Sequence, residues 1–373
     1  MKLKRIIIFY PSFERGGVET ILLNLINFFL KKKIKIILIS NVSKKRLPKD
    51  NNFLQINPNY KINSFFSDRL SKAIQASKKL SNILKNSNQK ETIVFSLQSS
   101  SLAILISKIN NHLIVVRNAE DPIYSTVYGD NKIASLLAIF SKILTYNFSD
   151  KIICNSVGSK YSLQKLLLNK SKVISIYNPY LKKINKKNNF SKKNIVISVG
   201  RLTKQKDHKT LVEAMKLLTN KGIKLKLLII GDGDQRDRIE HLIDTLNLKK
   251  NIKILGWKKN LKNYYKTAKL FVLSSLYEGL GNVVIDAVNF NIPVITTDCR
   301  SGPSEIIKKN KGGFVVPVSS PEQIAIKILY CLKNYKLALK KAKYAKKYIN
   351  RFSEKKNSEK YYTELVKIIY EKS

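Results

Sequence analysis

Short apolar runs, many of them β-branched, recur along the whole chain, each followed by a stretch with helical spacing; this alternation most limits the fold. In the first half the runs are Arg5–Tyr10, Ile34–Ile39, Thr92–Phe95, Leu113–Val116, Lys151–Cys154 and Val173–Ile176. In the second half they are Ile195–Val199, Lys226–Ile230, Ile252–Leu255, Leu270–Leu273 and Val294–Thr296. Strands this short and this apolar are buried on both faces, which predicts an α/β protein of parallel sheets with helices on either side. A composition break at residues 182–193, full of Lys and Asn, reads as a linker between domains 1–181 and 194–350. The 373 residues, 44% hydrophobic, suffice for two cores of ordinary size. Open sheets of this kind bind ligands beyond the carboxyl ends of their strands, here expected in a cleft between the two domains.

Three strand-to-helix junctions carry candidate chemistry. After Leu270–Leu273 comes Glu278-Gly279-Leu280-Gly281-Asn282-Val283-Val284-Ile285-Asp286, two acids flanking a turn that opens a helix. Gly279 and Gly281 let a ligand approach the backbone, and the helix start offers N–H groups and a positive dipole end to a diphosphate. Glu278 in the turn can accept sugar hydroxyls, and Asp286 can reach a ribose. After Ile195–Val199 comes Gly200-Arg201-Leu202-Thr203-Lys204-Gln205-Lys206-Asp207, which places Arg201 and Lys206 five residues apart. A planar guanidinium and a compact ammonium together suit a departing nucleoside diphosphate. After Arg5–Tyr10, Gly16 and Gly17 thin the backbone ahead of a helix from about Thr20. Taken singly, each junction has a plainer reading as a solvated acid or surface lysine; their co-occurrence argues for one site.

These segments together resemble the retaining glycosyltransferases of family 4 over nearly the whole chain. Gly16-Gly17-Val18-Glu19 is similar to the family's N-terminal glycine loop. Gly200-Arg201-Leu202 with Gln205-Lys206-Asp207 is similar to its phosphate segment, and Glu278 to Asp286 to its acid-x7-acid signature. Ile230-Gly231-Asp232-Gly233, Tyr177-Asn178-Pro179 and Ser301-Gly302-Pro303-Ser304-Glu305-Ile306 are further matches. The resemblance implies the GT-B fold, two Rossmann-like domains with a nucleotide-sugar cleft between them, and a C-terminal helix, 351–373, packing back on the N-terminal domain. It implies catalytic roles for Glu278, Arg201 and Lys206. Arg201 and Lys206 would hold the diphosphate and Glu278 the donor sugar, with the amides of Leu280, Gly281, Asn282 and Val283 on the phosphates. Asp286, where the family usually has Glu, would take the ribose hydroxyls. Gly16, Gly17, Gly231, Asp232 and Gly279 would line the donor.

Arg117-Asn118-Ala119-Glu120-Asp121-Pro122 is similar, with two inserted residues before Asp121, to a segment of enzymes that build bacterial surface polysaccharides. It implies an acceptor-side place for Arg117 and Asn118. The activity implied is transfer of a hexose or N-acetylhexosamine from a nucleotide sugar, UDP-linked by expectation, to a lipid-linked saccharide. The product would be lipopolysaccharide, O-antigen or capsule, made with retention and with neither a divalent metal nor another cofactor.

The formal charge of +45 has two readings. Lysine is abundant everywhere beside Ile, Asn and Ser, which is a compositional bias; alternatively the charge attaches the protein to an anionic membrane. Ile133–Phe148 fits an interfacial helix or ordinary core packing equally well. No run of 18 apolar residues exists and Ile6–Tyr10 is a strand, so a cytoplasmic protein is expected, peripheral at the inner face of the cytoplasmic membrane if the charge is used there. Cys154, Cys299 and Cys331 sit apart and read as buried or bystander thiols. His112, His208 and His241 lack metal-site spacing; His208, beside Lys206-Asp207, is either a surface residue at a helix start or a neighbour of the phosphates. Asp232-Gly233-Asp234 follows a strand and reads as a turn lining the nucleotide cleft rather than a metal site. Two competing functions stay open: a nucleotide-sugar epimerase of the same general fold, and a basic, non-enzymatic protein holding RNA or anionic lipid. No nucleic-acid motif is present to favour an RNA or DNA partner. A dinucleotide oxidoreductase is disfavoured, because Gly231-Asp232-Gly233-Asp234-Gln235-Arg236 lacks the third glycine.

Overall fold

The computed structural model describes residues 2–12, 17–43, 46–58, 68–129, 131–185, 192–299 and 301–371. The chain divides into two compact units, one of Met1–Ile123, Ile133–Lys182 and Phe352–Ser373, the other of Tyr124–Lys132 and Lys183–Arg351. It begins with β1 (Arg5–Phe9), α1 (Gly17–Lys31), β2 (Lys35–Ile39), β3 (Phe53–Ile56), α2 (Asp68–Lys85), β4 (Thr92–Ser96) and α3 (Ser100–Ile109). Next come β5 (Leu113–Asn118), α4 (Pro122–Val127), α5 (Lys132–Tyr146), β6 (Lys151–Cys154), α6 (Val157–Gln164) and β7 (Val173–Ser175). The second unit holds β8 (Ile195–Val199), α7 (His208–Asn220), β9 (Lys226–Ile230), α8 (Arg236–Thr245), β10 (Ile252–Ile254), α9 (Lys262–Thr267) and β11 (Leu270–Leu273). It continues with α10 (Asn282–Asn289), β12 (Val294–Thr297), α11 (Pro303–Ile306), β13 (Phe314–Val316), α12 (Pro321–Lys333) and α13 (Tyr335–Lys347). The final helix, α14 (Glu354–Glu371), belongs to the first unit.

Both sheets are wholly parallel in their described pairings. The first runs β3-β2-β1-β4-β5-β6-β7 and the second β10-β9-β8-β11-β12-β13. In each, the first strand lies centrally, the next two build outward on one side, and the chain then crosses to build on the other. That is the doubly wound order of a Rossmann sheet. The period of two along a strand explains the double covering. Ile6, Ile8, Ile36 and Leu38 join one cluster with Leu22 and Phe29 of α1 and Tyr361 and Leu365 of α14. The alternating Ile7, Phe9, Ile37 and Ile39 join another with Leu80 of α2 and Ile104 of α3. In the second unit Val196, Leu227 and Leu270 pack with Leu211 and Met215 of α7 and Ile328 of α12.

The sequence names every strand except β3 and β13, both at or next to a sheet edge. β3 is four residues long and only half-buried, so it carries no continuous apolar run. β13 is three residues long and follows Gly312-Gly313. The three cysteines are free thiols, all buried. Among the described residues no helix is long and apolar enough to cross a membrane. On the open question of Ile133–Phe148, core packing accounts for little: only Thr145 and Tyr146 of α5 are buried, and its apolar stripe is exposed.

Candidate active site

In the second sheet the winding reverses between β8 and β11, which are hydrogen-bonded neighbours. The loops leaving their carboxyl ends therefore diverge in opposite directions and leave a crevice, the place where such sheets take ligands. Those two loops carry Arg201, Lys206 and Glu278, the residues singled out by chemistry.

The β8 loop is fixed from both sides. Toward β9, the Leu202 amide donates to the Asp232 carbonyl at 3.0 Å and the Gln235 amide to the Leu202 carbonyl at 2.8 Å. Gly231 has φ +153°, and a Cβ there would stand 1.8 Å from the Gly200 carbonyl oxygen. A crossing of two backbones therefore suffices to require glycine here. Asp232 takes the Gly233 amide at 2.9 Å and the Arg236 guanidinium at 3.1 Å, the contacts of an exposed turn residue.

Toward β11, Ser274 Oγ donates to the Lys206 carbonyl at 2.9 Å and the Leu276 amide to the Gln205 carbonyl at 2.8 Å. Gln205 Nε2 donates to the Tyr277 carbonyl at 3.0 Å. These bonds zip the two loops together and bring Lys206 Nζ onto Glu278 Oε1 as an ion pair. Ser275 Oγ donates to the same carboxylate oxygen at 2.8 Å, and Ser301 Oγ donates to the Glu278 carbonyl at 2.6 Å. Glu278 is buried and Lys206 nearly so. Gly302, φ +71°, passes so close that a Cβ would lie 2.4 Å from Leu280 Cα, which braces the turn from below.

α10 opens directly after this turn, with Gly281 at its N-cap in the left-handed region. Its start lies at the positive end of the helix dipole, and the Val284 amide there donates to the Gly281 carbonyl at 2.9 Å. Leu280 and Gly279 are buried, Asn282 and Val283 half-buried, and Asp286 half-buried one turn further along. Arg201 is exposed at the start of the β8 loop. The two cations treated alike in the sequence therefore differ: Arg201 meets solvent, while Lys206 is held by a carboxylate.

His208, at the first position of α7, is neither a surface residue nor an ion-pair partner. It is buried and its Nδ1 has no hydrogen-bond partner. Burial, and secondarily the Lys206 charge, push its imidazolium pKa down to about 3. A His whose folded pKa lies below its unfolded value of about 6.5 supports folding fully above that value and loses this support as pH falls toward 3. Between these limits the unfolded chain binds the extra proton, so this group should remove about 1.4 kcal/mol of stability per pH unit of acidification. Urea unfolding at pH 7 and pH 5 tests it: the stability lost on acidification should be clearly smaller in His208→Gln than in the unsubstituted chain. Equal losses would show that His208 is not the buried neutral group.

In the first unit the equivalent reversal lies between β1 and β4. There the Ser12 amide donates to Gln98 Oε1 at 2.8 Å, joining the two loops. Ser99, next in line, has φ +51° without being glycine. Sequence reasoning passed over Gln98 and Ser99; the available signal was a polar run, Gln98-Ser99-Ser100-Ser101, directly after a central strand. Gly17 is the exposed first residue of α1, while Gly16 lies outside the described residues. Arg117 and Asn118 end β5 and are both buried. Arg117 Nη2 donates to Asn178 Oδ1 at 2.6 Å; Asn118 Nδ2 donates to the Glu120 carbonyl at 2.6 Å and to Ser159 Oγ at 3.1 Å. Asp121 accepts from the Ile123 amide at 3.0 Å and from Ser162 Oγ at 2.6 Å. The side chains expected on the acceptor side are thus engaged inside the unit, where they shape the loop at residues 119–122.

The chain is similar to known proteins in sequence and in fold. Residues 181–348 match the family of glycosyl transferases group 1. The chain is 36% identical over 224 residues to an uncharacterized glycosyltransferase of Methanocaldococcus jannaschii, covering 55% of this chain and 53% of that one. It is 30% identical over 233 residues to an N-acetylgalactosamine-N,N'-diacetylbacillosaminyl-diphospho-undecaprenol 4-alpha-N-acetylgalactosaminyltransferase of Campylobacter jejuni, covering 61% and 62%. The match thus spans between half and two thirds of these relatives' length. Among solved structures, HepE of Anabaena in complex with UDP and glucose superposes with a TM-score of 0.74 at 17% identity, covering 97% of this chain and 99% of that one. The fold is GT-B.

Proposed function

We propose that the protein is a glycosyltransferase that moves a hexose or N-acetylhexosamine from a UDP-linked donor to a lipid-linked saccharide, with retention of anomeric configuration and without a divalent metal. The observation that carries this reading is the buried Lys206–Glu278 pair, set where the sheet winding reverses and one short turn before the start of α10. Breaking an anomeric bond puts negative charge on the departing diphosphate and positive charge on the sugar. Lys206, Arg201 and the first amides of α10 form a fixed positive array for the first, and fixed charge stabilises a transition state without reorganising. Glu278, held by Ser275 and Lys206, serves to orient sugar hydroxyls. Asp286 takes the ribose.

The Campylobacter relative is named for a diphospho-undecaprenol acceptor and the Anabaena structure for bound UDP and glucose, which supports the choice of partners. A role in surface polysaccharide synthesis at the inner face of the cytoplasmic membrane follows from the same reading.

The test is thermal melting with a panel of nucleotide sugars, with release of free nucleotide followed in parallel. One UDP-sugar should stabilise the fold by about 2.7 kcal/mol at a hundredfold excess over its dissociation constant. Arg201→Ala should abolish that gain, measured as the difference between its own liganded and unliganded melts. A panel without any stabilising donor, or an Arg201→Ala protein that responds like the parent, overturns the assignment.

A further inference from the structure

The first sheet ends at β7, whose outer edge has no strand partner among the described residues. The Ile176 amide donates to the Cys154 carbonyl at 2.9 Å, which fixes the sense of the ladder to β6. Backbone groups alternate along a strand, so Ile174 and Ile176 bond to β6 while the amide and carbonyl of Val173 and Ser175 point away from the sheet. Val173-Ile174-Ser175 contains neither the charge nor the proline that commonly blunts an exposed edge.

Beside that edge lies a groove of about 800 Å³. Ile174, Ser175 and Ile176 line one side of it and the first half of α14 the other, so both walls belong to the first unit. α14 divides its surface between two tasks. Tyr361, Leu365, Ile368 and Ile369 close the sheet, whereas Lys356, Lys360 and Glu364, spaced four residues apart, form one row along the groove. A sheet edge facing a helix across an open groove is an arrangement in which an extended peptide can be taken up as one more strand.

The charges of the groove decide which peptide. Lys355, Lys356 and Lys360 are exposed on its helical wall. Of the two acids there, Glu359 is bonded to Lys32 at 2.9 Å, which leaves the lysines facing Glu364. Lys170 and Lys172 directly precede β7. An acidic strand would meet opposite charge from both walls, and apolar residues at its alternate positions would lie beside Ile174 and Ile176. A second copy of this chain would instead set lysines against lysines, on molecules that each carry a formal charge of +45.

We propose that the groove between β7 and α14 docks an extended acidic segment of a partner protein, added to the sheet beyond β7. The inference does not rest on sugar transfer, because its test involves neither donor nor acceptor. Fluorescence anisotropy of the full chain is measured with a labelled hexapeptide of alternating valine and glutamate, with the same peptide N-methylated at every amide, and with a peptide of alternating valine and lysine. The first should bind and the other two should not. Ser175→Pro removes an outward N–H while sparing the ladder to β6, a placement that edge strands tolerate. It should weaken binding about tenfold or more, the loss expected for one hydrogen bond. Lys356→Gln with Lys360→Gln should do the same with an unchanged melting temperature, and keeps the test decisive if Ser175→Pro lowers the melt. Lys336→Gln with Lys340→Gln, which removes equal charge at exposed positions of α13, should leave binding as it was. The proposal is overturned if the N-methylated peptide binds as well as its parent, which would assign the affinity to charge alone. It is equally overturned if either groove variant, folded, binds as the unsubstituted chain does, or if that chain binds none of the peptides.

Discussion

Lys206→Ala should lower kcat/KM for the donor by about 10²–10³-fold, the usual cost of deleting one fixed electrostatic contact from a transition state. It should also weaken the fold, because Glu278 would keep a buried charge with Ser275 as its remaining named donor. Breaking one side of such a pair costs about 3 kcal/mol here, the low end of the range because Lys206 retains some solvent contact. Glu278→Leu should destabilise similarly by stranding Lys206. Replacing both at once, Lys206→Met with Glu278→Leu, removes the unmatched charge and should recover most of the stability. Activity should stay as low in the double variant as in the singles. Chemical denaturation alongside donor kinetics separates the two contributions: recovery of turnover together with stability would reduce the pair to a structural brace.

Gly231→Ala should cost about 4 kcal/mol or more, among the largest effects a single added methyl can produce. Its Cβ would be driven to 1.8 Å from the Gly200 oxygen and 2.8 Å from the Gly200 carbon, both backbone atoms that no rotamer change can clear. The β8 loop must move, and Arg201 moves with it, so donor-induced stabilisation should vanish too. Gly222→Ala is the control, also at positive φ, +69°, but with nothing within 4 Å of the new methyl. It should cost only the conformational penalty, about 1 kcal/mol. Comparable urea midpoints for the two variants would contradict the crossing of the β8 and β9 loops.

The parallel sheets were legible because their strands are buried on both faces and so write themselves as unbroken apolar runs. β3 and β13 escaped because short peripheral strands need no such run. At the site, the sequence supplied the loops but not their pairing. Lys206 and Glu278 stand 72 residues apart, and only the adjacency of β8 and β11 brings them together. Arg117 shows another tie hidden from the sequence: its guanidinium donates to Asn178, 61 residues away. For α5 the periodicity was plain and the direction was not, since a helical stripe reads the same whether it faces a core or turns outward.

The placement of α14 sets an order on how this protein can be made. Tyr361, Leu365, Ile368 and Ile369 share a cluster with Ile6 and Ile8 of β1, so one face of the first sheet is closed by residues synthesised after the entire second unit. At ribosomal speeds that leaves this face without its closing helix for on the order of ten seconds, while the second unit, continuous from Lys183 to Arg351 apart from one short segment, can already be folding. The nascent first unit is therefore a waiting partner, open along one side until α14 arrives, and it is in that interval that a chaperone has most to offer it.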